Sequence, residues 1–220
     1  MKLAIAAAKF EEVSALITFL QNQAQQIKPF HFRFKSLEIQ ILITGEDILR
    51  TTYALTRYFQ HQSTDFFIHS GLAIRLSGEL EEAKVYQVSN DIFFSEKIID
   101  RNLSELIDAN SHSELPFEND QFKNPQTGQF LPLAVSITLN SGRLEKKAIK
   151  TLSKNHGASL LLTKDNSAVF FVAIMEKINF LSIRATLAKN EVEANLLDNK
   201  KQAISLLNTN LIDIILTLSE

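Results

Sequence analysis

The stretch "ASLLLTKDNSAVFFVAIMEKINFLSIRATLAKN", residues 158–190, decides the reading of the fold. Leu160, Leu161 and Leu162 form a short apolar run, and the polar segment Lys164-Asp165-Asn166 interrupts it. Val169, Phe170, Val172, Ala173 and Ile174 then fill a helix-length segment, and "FLSIRATL" resumes β-rich character. The order is strand, turn, helix, strand. Strands separated by helices need crossover connections, which argues for a largely parallel sheet. In open α/β sheets ligands bind beyond the carboxyl ends of the strands, which here are Lys164-Asp165-Asn166 and Leu187-Ala188-Lys189. The apolar residues of the intervening helix read as plain core packing.

The same alternation extends outward in both directions. "KLAIAAA" (2–8) reads as a buried strand, and Val13, Leu16, Ile17 and Leu20 follow at helical spacing. "LEIQILIT" (37–44) is a strand ended by Gly45, before a helix carrying Ile48, Leu49, Tyr53, Leu55 and Phe59. "DFFIHSGLAI" (65–74) is a strand broken by Gly71, and "AKVYQVSN" (83–90) alternates with one wetter face. Residues 96–109 resume helical spacing through Ile98, Ile99, Leu103, Leu106 and Ile107. "LAVSITL" (133–139) reads as a strand and residues near 143–155 as a helix, while Ile204, Leu207, Leu211, Ile214 and Leu218 share a final helical stripe. The expected class is therefore α/β, a single domain over 1–220 with a twisted, mixed but mostly parallel sheet flanked by helices. Residues 110–132 hold three of the four prolines and no sustained period, so they read as a long loop or lid.

Composition sets limits. With 220 residues, 45% of them hydrophobic, the chain can bury roughly 70% of its unfolded surface and needs no staple. The absence of cysteine excludes disulfides, a thiolate nucleophile and cysteine-type zinc sites, and a reducing cytoplasm is the expected compartment. "MKLAIAAA" is too short an apolar run for a secretory leader, and no run is long enough to span a membrane. A net charge of −2 without a dense basic run gives no nucleic-acid footprint.

No dinucleotide fingerprint, phosphate loop, zinc-protease helix or nucleophile elbow occurs, and the histidines (31, 61, 69, 112 and 156) never fall at metal-ligand spacing. No metal or cofactor is expected. His69 stands out only for its place at a strand end beside Ser70 and Gly71. Glu11 and Glu12 lie at the first strand–helix turn, where acids are favoured by the helix dipole alone.

Read together, "MKLAIAAAKFEEVSAL", "LITGEDILRTTYALTRYFQ", "DFFIHSGLAI", "LPFENDQFKNP" and "AVFFVAIMEKINFLSIRA" resemble the futalosine hydrolases, within the nucleoside phosphorylase and methylthioadenosine/S-adenosylhomocysteine nucleosidase superfamily. "KKQAISLLNTNLIDIIL" is similar to the closing helix of that family. The resemblance implies a single α/β domain, commonly oligomeric, that hydrolyses the N-ribosidic bond of a purine-type nucleoside; in futalosine hydrolase this serves an alternative menaquinone pathway. Such chemistry needs a carboxylate for the attacking water, another for the ribose hydroxyls, and a donor for the departing base.

By resemblance the first role falls on Glu12, with Glu11 as the alternative. The ribose-binding glutamate of the family, in Met-Glu-Gly-Ala, matches Asp165-Asn166-Ser167-Ala168, which puts Asn166 at the carboxylate position with Asp165 beside it. The leaving-group residue follows an Arg-Ala pair, here Arg184-Ala185, and its position is taken by Ala188. Gly45 keeps one glycine of a Gly-rich turn while Glu46 and Asp47 follow it, and His69-Ser70-Gly71-Leu72-Ala73-Ile74 keeps one glycine of two. The base-pocket strand becomes Ile137-Thr138-Leu139-Asn140. Gly45, His69, Gly71, Leu72, Asp165 and Asn166 are thus the expected ligand-binding positions.

With two functional positions substituted, the expected protein is catalytically impaired and acts in binding a purine nucleoside or base, as a homo-oligomer or as the partner of an intact homologue. The alternative is an active hydrolase with a rearranged site, in which Glu12 orients water, Asp47 or Asp165 contacts ribose and His69 assists. A cavity closed by Leu72, Ile74, Leu139 or Phe170 would speak against any nucleoside, whereas an open one with two carboxylates near Glu12 would favour the enzyme.

Overall fold

The computed structural model describes residues 1–76, 84–94, 116, 121–124, 131–139, 146–156, 159–187 and 193–220. Its central strand, β1 (Lys2–Ala7), is apolar after its first residue and buried from Leu3 onward, as expected of a strand covered on both faces. Parallel strands flank it on either side, β4 (Leu37–Ile43) and β5 (Phe66–Arg75). A 3₁₀ turn at Phe10–Glu12 leads from β1 into α1 (Ser14–Gln23), which buries Leu16, Ile17 and Leu20.

Between α1 and β4 the chain makes a meander that periodicity does not reveal. β2 (Gln25–Lys28) and β3 (His31–Phe34) run antiparallel to each other, and β3 runs antiparallel to β4. After β4, the helix α2 (Ile48–His61) is capped by Asp47, whose carboxylate accepts from the Arg50 N–H at 2.8 Å.

Beyond β5 the sheet closes on itself. β10 (Phe180–Leu187) pairs parallel with β5 and antiparallel with β6 (Val85–Phe94). β6 runs parallel to β8 (Leu133–Leu139), β8 parallel to β9 (Leu160–Thr163), and β9 antiparallel to β5, completing a five-strand ring. β7 (Phe122–Lys123) adds to β6. Among the described residues the ten-stranded sheet has as many antiparallel pairings as parallel ones, so the sheet is mixed rather than mostly parallel. Tight turns permit only antiparallel neighbours at β2–β3–β4, and the ring itself holds two reversals of direction, at β10–β6 and β9–β5.

The remaining helices are α3 (Lys146–His156), α4 (Asn166–Met175) and α5 (Glu193–Leu218). Side chains of β1 alternate between two cores. Leu3, Ile5 and Ala7 face the cluster containing Leu207, Leu211, Ile214 and Ile215 of α5, while the small Ala4 and Ala6 face Val169, Phe170, Val172 and Ala173 of α4. The apolar stripe of α4 is therefore core. No helix among the described residues is long and apolar enough to cross a membrane. The helix expected over 96–109 lies outside the described residues, as does most of the loop or lid expected over 110–132.

Candidate functional site

The carboxyl ends of β1, β5, β9 and β10 converge on an open cavity of about 260 Å³. Glu12 reaches it from the 3₁₀ turn after β1, Asp165 from the turn after β9, Arg184 from within β10, and Leu72 and Ile74 from β5. Leu72 and Ile74, but not Leu139 or Phe170, line the cavity without closing it, and carboxylates from both turns stand on its wall.

Arg184 organises the site. It is 1% exposed, one of the largest fully buried side chains of the protein. Its Nη2 donates to His69 Nδ1 at 2.8 Å, Asp165 Oδ1 at 3.0 Å and Asn166 Oδ1 at 3.0 Å. Two N–H hydrogens thus serve three acceptors, so one bond is shared. Because arginine only donates, Nδ1 of His69 is the acceptor and the ring proton sits on Nε2, which approaches Asp165 Oδ2 at 3.5 Å. Burial first, and then the Arg184 charge, push the His69 pKa down and keep the ring neutral. Burial alone would raise Asp165, yet the charge of Arg184 and the neighbouring His69 hold its carboxyl well below the usual range.

Gly71 makes room for this guanidinium. A Cβ on Gly71 would lie 2.2 Å from Arg184 Nη1 and 3.9 Å from Glu12 Oε1. Glu12 is buried, and burial raises its carboxyl pKa against the opposing effects of the Lys9 N–H, at 3.1 Å, and the Arg184 charge. A buried carboxylate with a raised pKa is a proton acceptor poised nearer neutrality than a surface one.

Two ion pairs stand at the mouth. Lys9 Nζ lies 2.7 Å from Glu46 Oε1, and Lys200 Nζ lies 2.6 Å from Glu11 Oε1. Gly45 is not itself part of the wall. It has φ of +90°, its N–H bonds to the Ala8 carbonyl, and it turns the chain so that Glu46 faces Lys9. From the other side Asn208 of α5 secures the Glu12 turn, accepting from the Leu16 N–H at 2.9 Å and donating to the Glu12 carbonyl at 2.9 Å.

Of the residues singled out from sequence, Glu12, Leu72 and Asp165 line the cavity, while His69, Gly71 and Asn166 stand behind it around Arg184. Asn166 is not on the cavity wall and makes its hydrogen bonds within the barrel. Asp47 caps α2 and is not on the wall, and Ala188 and Asn140 lie outside the described residues. Glu11 lines the mouth and is engaged by Lys200. Arg184 entered the sequence reading only as part of the Arg184-Ala185 pair, and its place at the centre of the site was missed; an arginine inside the β run "FLSIRATL" is the signal that could have shown it. Among the described residues no three histidines, aspartates or glutamates gather as a metal-ligand set.

No protein-family model matches the sequence, and no curated protein does. Solved structures do match. A Campylobacter jejuni 5′-methylthioadenosine/S-adenosylhomocysteine nucleosidase aligns over 98% of this chain and 98% of its own at 13% identity, with a TM-score of 0.77. A futalosine hydrolase mutant of Helicobacter pylori aligns over 97% and 99% at 14% identity, with a TM-score of 0.70. The S. pneumoniae methylthioadenosine/S-adenosylhomocysteine nucleosidase bound to a transition-state inhibitor aligns over 96% and 98% at 18% identity, with a TM-score of 0.69. This chain has the single-domain α/β fold of the methylthioadenosine/S-adenosylhomocysteine nucleosidases and of futalosine hydrolase.

Proposed function

We propose that the protein binds a purine nucleoside, or its base and ribose, in the Glu12–Asp165 cavity, and that its hydrolysis of the N-ribosidic bond is slow. The observation that carries this reading is the commitment of Asp165: the carboxylate nearest to a ribose-binding position already accepts from Arg184 and faces His69 inside a buried cluster. A carboxylate so engaged can accept a further hydroxyl hydrogen bond, which suits binding. It has little freedom to follow the sugar as positive charge develops, which suits catalysis less. By resemblance Ala188 offers only a methyl group to a departing base, and removing one proton donor commonly costs about 10²- to 10⁴-fold in rate. Assembly with a second copy or with an intact homologue belongs to the same reading.

One observation favours a second reading. Glu12 is buried, opens onto the same cavity as Asp165 and has a raised pKa, as a water-activating base requires. In that case the site is a rearranged but active hydrolase.

One experiment separates the two. Purified protein is incubated for hours with futalosine, methylthioadenosine, S-adenosylhomocysteine or inosine, and free base is followed chromatographically while binding of each compound is measured by calorimetry. Binding of one compound with no base above the blank is the expected outcome. Base release that disappears in Glu12→Gln establishes the active hydrolase instead, and failure of all four to bind removes the nucleoside reading altogether.

A further inference from the structure

Inside the barrel, directly beneath the cavity, lies an acid that the cavity itself does not use. Asp91 of β6 is fully buried, and every partner it has among the described residues is a neutral donor. Ser136 and Ser167 donate to its two oxygens through short hydrogen bonds, Thr138 donates to both oxygens at 3.0 Å, and the Asn166 amide nitrogen approaches Oδ1 at 3.4 Å. Thr138 in turn accepts from the Ser167 backbone N–H at 2.9 Å and meets the Thr163 hydroxyl at 3.0 Å.

Asn166 joins this cluster to the cavity. Its amide nitrogen donates to Ser136 Oγ at 2.6 Å and faces Asp91, while its carbonyl oxygen accepts from Ser182 at 2.7 Å and from Arg184 Nη2 at 3.0 Å. The amide can hold only this orientation, because the reverse would place its oxygen against the Asp91 carboxylate and its nitrogen against the guanidinium. Asn166 is thus a dipole aligned between a buried anion and a buried cation. Asn166 and Ser167 are also the first two residues of α4, immediately after Asp165.

We propose that Asp91 is a positioning residue of the cavity: through Asn166 and Ser167 it fixes the first turn of α4, and with it the placement of Asp165 and Arg184. It touches no ligand, and the inference stands whether or not the cavity hydrolyses what it binds. A buried carboxylate without a cation in direct contact is costly. That cost is consistent with a device that orients the amide and less so with plain packing, for which an apolar residue would serve better.

The ionic state of Asp91 is the handle for testing this. Burial pushes its pKa up to about 6, against the lowering effect of Ser136, Ser167, Thr138 and Asn166. The elements packed against it contribute Ser136 and Thr138 from β8, Thr163 from β9, Phe122 from β7, and Asn166 and Ser167 from α4, none of them charged. The charged and titratable groups Arg184, Asp165 and His69 lie on the far side of Asn166, with Glu12 beside Arg184. Protonating Asp91 as pH falls adds a donor where four groups already donate, so one must turn away.

In the isotopically labelled full chain, the Asn166 side-chain amide and the Arg184 Nε–H signals should move together between pH 8 and pH 5, sharing the midpoint of the Asp91 carboxyl carbon. Asp91→Asn should leave the Asn166 amide fixed over that range, and any movement that remains at Arg184 should disappear when Glu12→Gln removes the carboxylate beside it. Ser167→Ala, which keeps the acid but removes a donor from its anion, should shift the common midpoint upward. Signals at Asn166 and Arg184 that ignore the Asp91 titration, an Asn166 signal that still titrates in Asp91→Asn, or a midpoint unchanged in Ser167→Ala overturns the proposal. The wild-type titration decides the matter should Asp91→Asn fail to fold.

Discussion

Gly71 and Arg184 form a single unit although 113 positions separate them in sequence. The guanidinium occupies the space of a Gly71 side chain, with Nη1 2.2 Å from where a Cβ would stand. It cannot retreat, because Nη2 is anchored by His69, Asp165 and Asn166. Gly71→Ala should therefore cost on the order of 2–3 kcal/mol, as overpacking and displacement of a buried ion both do. The midpoint of urea unfolding measures it, and a variant as stable as the wild type would mean that the guanidinium has another place to go. At this scale the sequence was informative where a role depends on a local segment, as with Glu12 in its turn. It was uninformative for Arg184 and Asp91, whose partners come from β5, β8, α4 and the turn after β9. The neighbours Asp165 and Asn166 show why adjacency misleads: at a helix start successive side chains diverge, so one lines the cavity while the other turns into the barrel.

At the scale of elements, the β2–β3–β4 meander escaped sequence reading because its two-residue turns, Pro29-Phe30 and Lys35-Ser36, carry neither the Asn-Gly nor the Asp-Gly pair that marks a hairpin. Phe30 and Lys35 take positive φ, at 59° and 49°, in turns where glycine or asparagine would have announced a hairpin. A side chain in this conformation costs roughly 1–2 kcal/mol, and asparagine tolerates it better. Lys35 is exposed, so Lys35→Asn should raise stability by about 0.5–1 kcal/mol, read from chemical denaturation. A fall in stability would instead assign the larger effect to the Lys35 ammonium, which lies 5.5 Å from the Phe34 ring centre. By contrast β1, β5, α4 and the α5 stripe were legible, because each buries a run long enough to show its period.

For the whole molecule, α/β alternation was readable but closure was not. Barrel closure depends on β5 pairing with β10 along one edge and, along the other, first with β1 and then with β9, a property of length and register rather than of composition. The cavity shares this long-range character, since its wall runs from the β1 turn to Lys200 in α5. Asn208 ties those ends together, and Asn208→Ala leaves the Leu16 N–H and the Glu12 carbonyl without their partner. An expected loss of about 1–3 kcal/mol should be accompanied by faster hydrogen exchange at the Glu12 turn. Unchanged exchange there would show that α1 holds the turn by itself.

That same amide sets an order of events during synthesis. Glu12 leaves the ribosome 196 residues before Asn208 does. A growing chain can pair β1 with β4 and β5 and fold α4 over them while the turn that carries Glu12 still lacks its fastening. Assembly of the cavity therefore waits for Asn208 to emerge, and chains stalled before residue 208 should expose the Glu12 turn to protease where the chain through α5 shields it.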